Sequence, residues 1–136
     1  MDKLRVGIIG TGRISDLHAI EYLANPRTEI VAVADAVVEN AQRRGKAWGV
    51  ADDHVFSSYH DLLALPDVDL VEILLPHHLH CQATIDAAAA GKHISVQKPM
   101  ALSLGECDQI INACAKTGTK LLVNCSRRWL SAPLAC

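Results

Sequence analysis

An excess of charge of either sign is missing from this chain: thirteen lysines and arginines stand against fifteen aspartates and glutamates, a formal net charge of −2 over 136 residues. A protein that grips nucleic acid or an anionic membrane through its field needs a basic surplus, so both partners are set aside and small molecules remain. Missing too is any uninterrupted apolar run of the ~18 residues that a membrane-crossing helix requires. Met1-Asp2-Lys3 leads straight into a strand pattern, without the cationic start, apolar stretch and cleavage site of a secretory signal, and the cytoplasm is the expected location. Cys81, Cys107, Cys114, Cys125 and Cys136 are odd in number and never take the C-x-x-C spacing of a zinc site. They read as small buried or half-buried thiols in a reducing compartment, none assigned to catalysis. Aromatics are scarce, and Trp48, Trp129, Tyr22 and Tyr59 read as core or edge residues. Repeats, low-complexity stretches and internal linkers are lacking, so one domain with a real core is expected.

What is present is an alternation of apolar runs and helical patterns. Leu4 to Ile9 reads as a strand that ends in glycines, and Ile14, Leu17, Ile20 and Ala24 then recur at helical spacing until Asn25-Pro26. Glu29 to Ala34 is a second strand, followed by a helix marked by Val38, Ala41, Gly45 and Trp48 and closed by Gly49. Val55-Phe56 is a short third strand, and Ser58-x-x-Asp61 opens a brief helix ended by Pro66. Leu70 to Leu75 is the fourth strand, Leu79 to Ala90 an alanine-rich helix stopped at Gly91, and His93 to Val96 the fifth strand. Ser103-x-x-Glu106 starts a last helix with Leu104, Cys107, Ile111 and Cys114 as its inner stripe and Gly118 as terminator, before a sixth strand at Leu121 to Val123. Strands apolar throughout, alternating with amphipathic helices, predict an α/β domain: a doubly wound, Rossmann-type parallel sheet of about six strands with helices on both faces.

The chemistry gathers at strand ends. Gly10-Thr11-Gly12-Arg13-Ile14-Ser15 follows the first strand and opens the first helix, the setting that gives a G-x-G-x-x-G match meaning, although Ser15 replaces the third glycine. Gly10 permits the tight turn, Gly12 lets backbone approach a pyrophosphate, and the helix start offers unpaired N–H groups. Arg13 reads either as a phosphate or adenine contact or as a solvated surface residue. Asp35 ends the second strand 25 positions after Gly10. It reads either as the acceptor for an adenosine ribose or as a helix-capping aspartate. In the first role its charge repels a 2′-phosphate and favours NAD over NADP, unless Arg43 or Arg44 swings in.

Pro76-His77-His78-Leu79-His80 lies at the end of the fourth strand. Only two of these three histidines can face one point, so they read as pocket wall or surface and no metal site is assigned. His18, His54, His60 and His93 read as structural or solvated. Lys98, in Gln97-Lys98-Pro99, places an ammonium where the fifth strand runs out. Alone it is more simply a surface lysine; among the other strand-end residues it reads as a group that hydrogen-bonds and polarises a substrate hydroxyl.

Together these segments resemble the Gfo/Idh/MocA family, the group of glucose-fructose oxidoreductase and inositol dehydrogenase. Val6 to Ile14 is similar to its opening strand and turn, Val31 to Asp35 to its second strand, and Pro76 to His80 to its proline-asparagine-x-x-histidine segment. Ala90-Gly91-Lys92-His93 and Gln97-Lys98-Pro99 are similar to its alanine-glycine-lysine-histidine and glutamate-lysine-proline motifs. The resemblance implies an NAD(P)-dependent oxidoreductase acting on a sugar, polyol or related hydroxyl compound, with Lys98 as catalytic lysine. It implies cofactor contacts at Gly10, Gly12, Arg13, Ile14, Asp35, Pro76, His77, His80 and Gln97. Gln97 stands where glutamate is usual, keeping hydrogen-bonding capacity while removing a negative charge beside Lys98, and His77 stands where asparagine is common.

The likeness fades after Asn124, although Arg128-Trp129 is similar to an arginine-aromatic pair of the family. Residues 1–125 are therefore expected to form the dinucleotide-binding domain, and 126–136 to begin a linker to a substrate and oligomerisation domain that these residues do not contain. A homo-oligomer is expected only with that domain, and the chain alone is expected to bind cofactor and turn over poorly. Two other readings stand beside the dehydrogenase: a non-catalytic NAD(P) sensor or regulatory module, and a methyltransferase using the glycine turn for S-adenosylmethionine.

Overall fold

Strand β1 (Leu4–Ile9) is buried from Val6 onward, so it carries no polar alternation. Both of its faces are covered, the condition under which parallel strands become apolar throughout. The computed structural model describes residues 3–98 and 100–124. After β1 come α1 (Ser15–Ala24), β2 (Thr28–Ala34), α2 (Val38–Trp48), β3 (Val55–Phe56), α3 (Tyr59–Leu63), β4 (Leu70–Ile73), α4 (His80–Ala89), β5 (His93–Gln97), α5 (Leu104–Thr117) and β6 (Leu121–Asn124). The six strands form one parallel sheet in the order β3-β2-β1-β4-β5-β6. The order reverses between β1 and β4, the switch point of a doubly wound sheet.

Two apolar layers hold the helices. On one face Val6, Ile8, Ile30 and Val33 pack with Ala19 of α1 and with Ala41 and Trp48 of α2. On the other, Ile9, Ala32, Val71, Ile73, Ile94 and Val96 meet Leu62 and Leu63 of α3, Ala83 and Ala87 of α4, and Ile110 and Cys114 of α5. The helix ends follow capping chemistry. Ser103 Oγ accepts from the Glu106 N–H at 3.2 Å while Glu106 Oε1 accepts from the Leu102 N–H at 2.9 Å. Gly49 and Gly118 close α2 and α5 in the left-handed region.

Three expectations change. Helix α1 does not bury the stripe read from its apolar spacing: Leu17 is 68% and Ile20 60% exposed, and small Ser15 and Ala19 face the sheet instead. The tight turn after β1 brings the helix start so close to the sheet that only small side chains fit beneath it. In α5 the buried residues are Ile110 and Cys114, with Cys107 half-buried and Leu104 and Ile111 outside, a rotation of one residue that apolar spacing alone could not resolve. Strand β4 ends at Ile73, and Leu74 and Leu75 belong to the loop beyond it.

Polar groups pin the layers from within. Lys92 is almost fully buried, and its Nζ donates to the carbonyl oxygens of Leu65 and Val68 at 2.5 and 2.8 Å, tying β5 to the α3–β4 loop at the end of the sheet opposite the glycine turn. Burial pushes its ammonium below the ordinary lysine range. Glu72, 1% exposed in mid-strand, accepts from the Tyr22 hydroxyl and lies 3.3 Å from His18 Nδ1, so α1 is fastened to β4 by a carboxylate.

The Glu72 carboxylate, accepting from the His18 ring N–H, raises the His18 pKa above 6.5, opposed by burial and aided by the charges of Glu72 and Glu21. A pKa raised on folding adds stability that is complete below the unfolded value and lost as pH rises through the folded one. The wild type is accordingly expected to melt above His18→Gln at pH 5.5 to 6, with the gap narrowing as pH rises above the ordinary histidine value of 6.5. A gap that stays constant across that range in thermal melts would remove the His18–Glu72 pair from the account.

Candidate functional site

Because β1 and β4 adjoin while their connections leave on opposite faces, a crevice opens beyond their carboxyl ends. Gly10 turns the chain there with φ of 97°. A Cβ on it would sit 2.8 Å from the Leu74 carbonyl oxygen, so both backbone conformation and the approach of the β4 loop demand glycine. Gly12 differs: a Cβ there would meet no heavy atom within 4 Å, and the residue lines the crevice. That vacant volume beside a helix start suits an anion brought against backbone N–H groups. Ser15, in place of the third glycine, is buried and donates through Oγ to the Gly12 carbonyl oxygen at 2.6 Å, bracing the turn.

Asp35, at the end of β2, reaches across to this turn. Its Oδ2 accepts from both the N–H and the hydroxyl of Thr11, each at 2.8 Å, and its Oδ1 accepts from the Val37 N–H at 2.8 Å. The capping alternative is thus met in altered form: α2 has its N-cap at Val37, and Asp35 closes a local turn just before it. Arg44, one of the two arginines considered against a 2′-phosphate, is ion-paired with Asp16 of α1. Arg43 is hydrogen-bonded to Asn40 at 3.3 Å.

The crevice, of about 700 Å³, is lined by Gly10, Gly12, Ile14, Asp35, Pro76, His77, Gln97 and Lys98 of the sequence-derived set. Arg13 and His80 do not line it. His80 is fully buried and its Nε2 donates to the Leu75 carbonyl oxygen at 2.8 Å, which holds the β4 loop in place. His77, by contrast, is exposed, and its ring meets that of His80 edge-on at 5.6 Å. Lys98 is exposed at the end of β5 beside half-buried Gln97. Pro99, Cys125, the Arg128-Trp129 pair, Cys136 and the linker 126–136 lie outside the described residues.

Ala36, Leu74, Leu75 and Leu79 also line the crevice and were not singled out in the sequence. Leu74 and Leu75 read there as the last strand residues, and only their position just before Pro76 hinted at a loop. Among the described residues no group of three or more His, Cys, Asp or Glu is placed to hold a metal ion. Nor is any described helix long and apolar enough to cross a membrane.

Asp35 and Lys98 stand at the ends of β2 and β5, three strand positions apart in the sheet. At about 4.8 Å per position this is about 14 Å. The crevice is therefore long enough for an extended ligand that runs from Asp35 past Gly12 to Lys98.

Residues 4–125 match the Gfo/Idh/MocA oxidoreductase family, NAD-binding Rossmann fold. An uncharacterised oxidoreductase of Bacillus subtilis, YrbE, is 39% identical over 131 residues, covering 93% of this chain and 37% of that protein. Among solved structures, the WlbA dehydrogenase of Bordetella pertussis, in complex with NADH and UDP-GlcNAcA, superposes with a TM-score of 0.84 at 33% identity, over 90% of this chain and 37% of that one. KijD10, a 3-ketoreductase of Actinomadura kijaniata in complex with NADP and TDP-benzene, does so with a TM-score of 0.83 at 28% identity, over 90% and 37%. This chain spans little more than a third of the length of the curated relatives it matches.

Proposed function

This chain belongs to the Gfo/Idh/MocA oxidoreductase family, with an NAD-binding Rossmann fold, and from that premise we propose that its crevice holds a nicotinamide dinucleotide, NAD in preference to NADP, for hydride exchange with a sugar, polyol or related hydroxyl compound. The observation that carries the reading is one crevice lined jointly by Gly12, Asp35, Gln97 and Lys98, from the ends of β1, β2 and β5. Gly12 and the N–H groups at the start of α1 take the pyrophosphate, and Asp35 accepts from the adenosine ribose. Gln97 offers both donor and acceptor to the second ribose. Bound there, the nicotinamide supplies the hydride acceptor or donor. Lys98 Nζ hydrogen-bonds the substrate oxygen: as a free amine it takes the proton that the hydroxyl gives up, and as an ammonium it returns that proton in the reverse direction.

Lys98 also separates the enzyme reading from the sensor reading: a sensor needs the turn and Asp35 but no cation at the reacting end. WlbA, with its sugar-nucleotide ligand, and KijD10, a ketoreductase, support the substrate class. The remaining substrate contacts and any oligomer interface are assigned to a second domain outside residues 1–125, so this chain alone is expected to bind cofactor and turn over slowly. Titration calorimetry of the 136-residue chain should give saturable NAD binding, weaker NADP binding and none for S-adenosylmethionine. Asp35→Ala should cut the NAD preference about tenfold, the loss of one charge-assisted hydrogen bond. Absence of NAD binding at millimolar concentration would overturn the cofactor assignment, and an unchanged ratio in Asp35→Ala the role of that residue.

A further inference from the structure

The three hydrogen bonds on Asp35 carry an inference about how the crevice chooses its ligand. A carboxylate offers about four acceptor positions. Two on Oδ2 are taken by Thr11 and one on Oδ1 by the Val37 N–H, which leaves a single position, on Oδ1, for a ligand. Thr11 is 1% exposed, so its hydroxyl has no competing bond to water. The residue sits between Gly10 and Gly12, and its backbone N–H is part of the same turn that faces the anion.

We propose that Thr11 is a specificity-determining residue: its buried hydroxyl locks the Asp35 carboxylate in place, so that the site accepts one ribose hydroxyl and keeps a fixed negative charge against a 2′-phosphate. This inference rests on the assignment of a nicotinamide dinucleotide to the crevice and of the adenosine ribose to Asp35. A side chain held only by its own strand can rotate away from a phosphate at the cost of one torsional step. Asp35 can do so only by leaving three donors unpaired, one of them a buried hydroxyl, and the lost bonds oppose the motion. Discrimination thus comes from rigidity supplied by a neighbour that need not touch the ligand, and Thr11 is a positioning residue. Arg44 is ion-paired with Asp16.

Thr11→Val removes the hydroxyl while keeping side-chain shape and the backbone N–H, and Thr11→Ser restores the hydroxyl. Calorimetric titrations of the 136-residue chain with NAD and NADP, and with the half-ligands AMP and adenosine 2′,5′-bisphosphate, read the effect at the ribose. In Thr11→Val the preference for the ligand without the 2′-phosphate should fall by at least about fivefold in both pairs, with Thr11→Ser within twofold of wild type.

Thermal melts of each variant report folding separately. An unchanged preference in Thr11→Val, while Asp35→Ala loses it, would overturn the role of Thr11 and leave that of Asp35 standing. Equal weakening of both ligands of a pair would reduce Thr11 to a structural part of the turn and overturn the proposal as well. An unchanged preference in both variants would remove Asp35 from the ribose and the present inference with it.

Discussion

Gly12→Ala is expected to melt like the wild type and to bind NAD about 100-fold more weakly, about 2.7 kcal/mol. Nothing in the protein lies within 4 Å of the position a Cβ would take, and the residue is absent from those with positive φ, so the folded chain accommodates the methyl group without strain. On the proposed reading, the same methyl occupies the volume through which a pyrophosphate reaches the N–H groups at the start of α1. Hydrogen bonds to a charged group contribute about 1.5–3 kcal/mol each, and displacing the anion by one carbon radius forfeits at least one of them. Calorimetry with NAD and a ligand-free thermal melt check the two halves independently. Affinity within threefold of wild type would mean that the anion does not pass over Gly12.

Gly10→Ala should do the reverse. Its φ of 97° lies where an L residue is strained, and its Cβ would sit 2.8 Å from the Leu74 carbonyl oxygen and 2.9 Å from the carbonyl carbon. The obstacle is backbone, fastened through the Leu74 N–H to the Ile9 carbonyl oxygen at 2.8 Å, so it cannot turn aside as a side-chain tip could. Left-handed strain of about 1–2 kcal/mol and overpacking of about 1–3 kcal/mol together give about 3 kcal/mol of destabilisation. For a chain of this size that lowers the melting midpoint by about 10 °C. Denaturant titration with an unchanged slope would confirm that stability, not compactness, has moved. A midpoint within 2 °C of wild type would show that the β1 and β4 loops are free to separate. On that reading two glycines of one motif divide the work: one allows the fold, the other leaves room for the ligand.

Much of this is legible in the sequence. Continuous apolar runs specify strands covered on both faces, and glycine turns and Ser-x-x-Glu boxes mark helix ends by local hydrogen bonding, so the element order and the parallel sheet followed from the sequence. Which helix face turns inward did not. In α1 the apolar spacing pointed to Leu17 and Ile20, yet closeness to the sheet selected Ser15 and Ala19. In α5 the periodic pattern left the phase uncertain by one residue, because neighbouring apolar positions such as Ile110 and Ile111 compete for the same stripe. Helix phase is decided by the surface a helix lands on, which is not local information.

The candidate site divides in the same way. Gly10, Gly12, Asp35 and Lys98 were recognisable because strand ends, glycine spacing and an acidic residue 25 positions after Gly10 are local signals. That Glu72, in the middle of an apolar strand, finds Tyr22 and His18 50 and 54 positions earlier was not readable, nor that His80 turns inward to the Leu75 carbonyl while His77 faces out. The sequence by itself determined the elements, their order and the residue types at the strand ends, because these depend on backbone conformation and on chemistry within a few residues. Only the tertiary structure decided that Thr11 holds Asp35 across two strands and that Gly10 must clear Leu74 while Gly12 need clear nothing. Those relations arise where segments distant in the chain are brought within hydrogen-bond or van der Waals distance by the packing of the sheet.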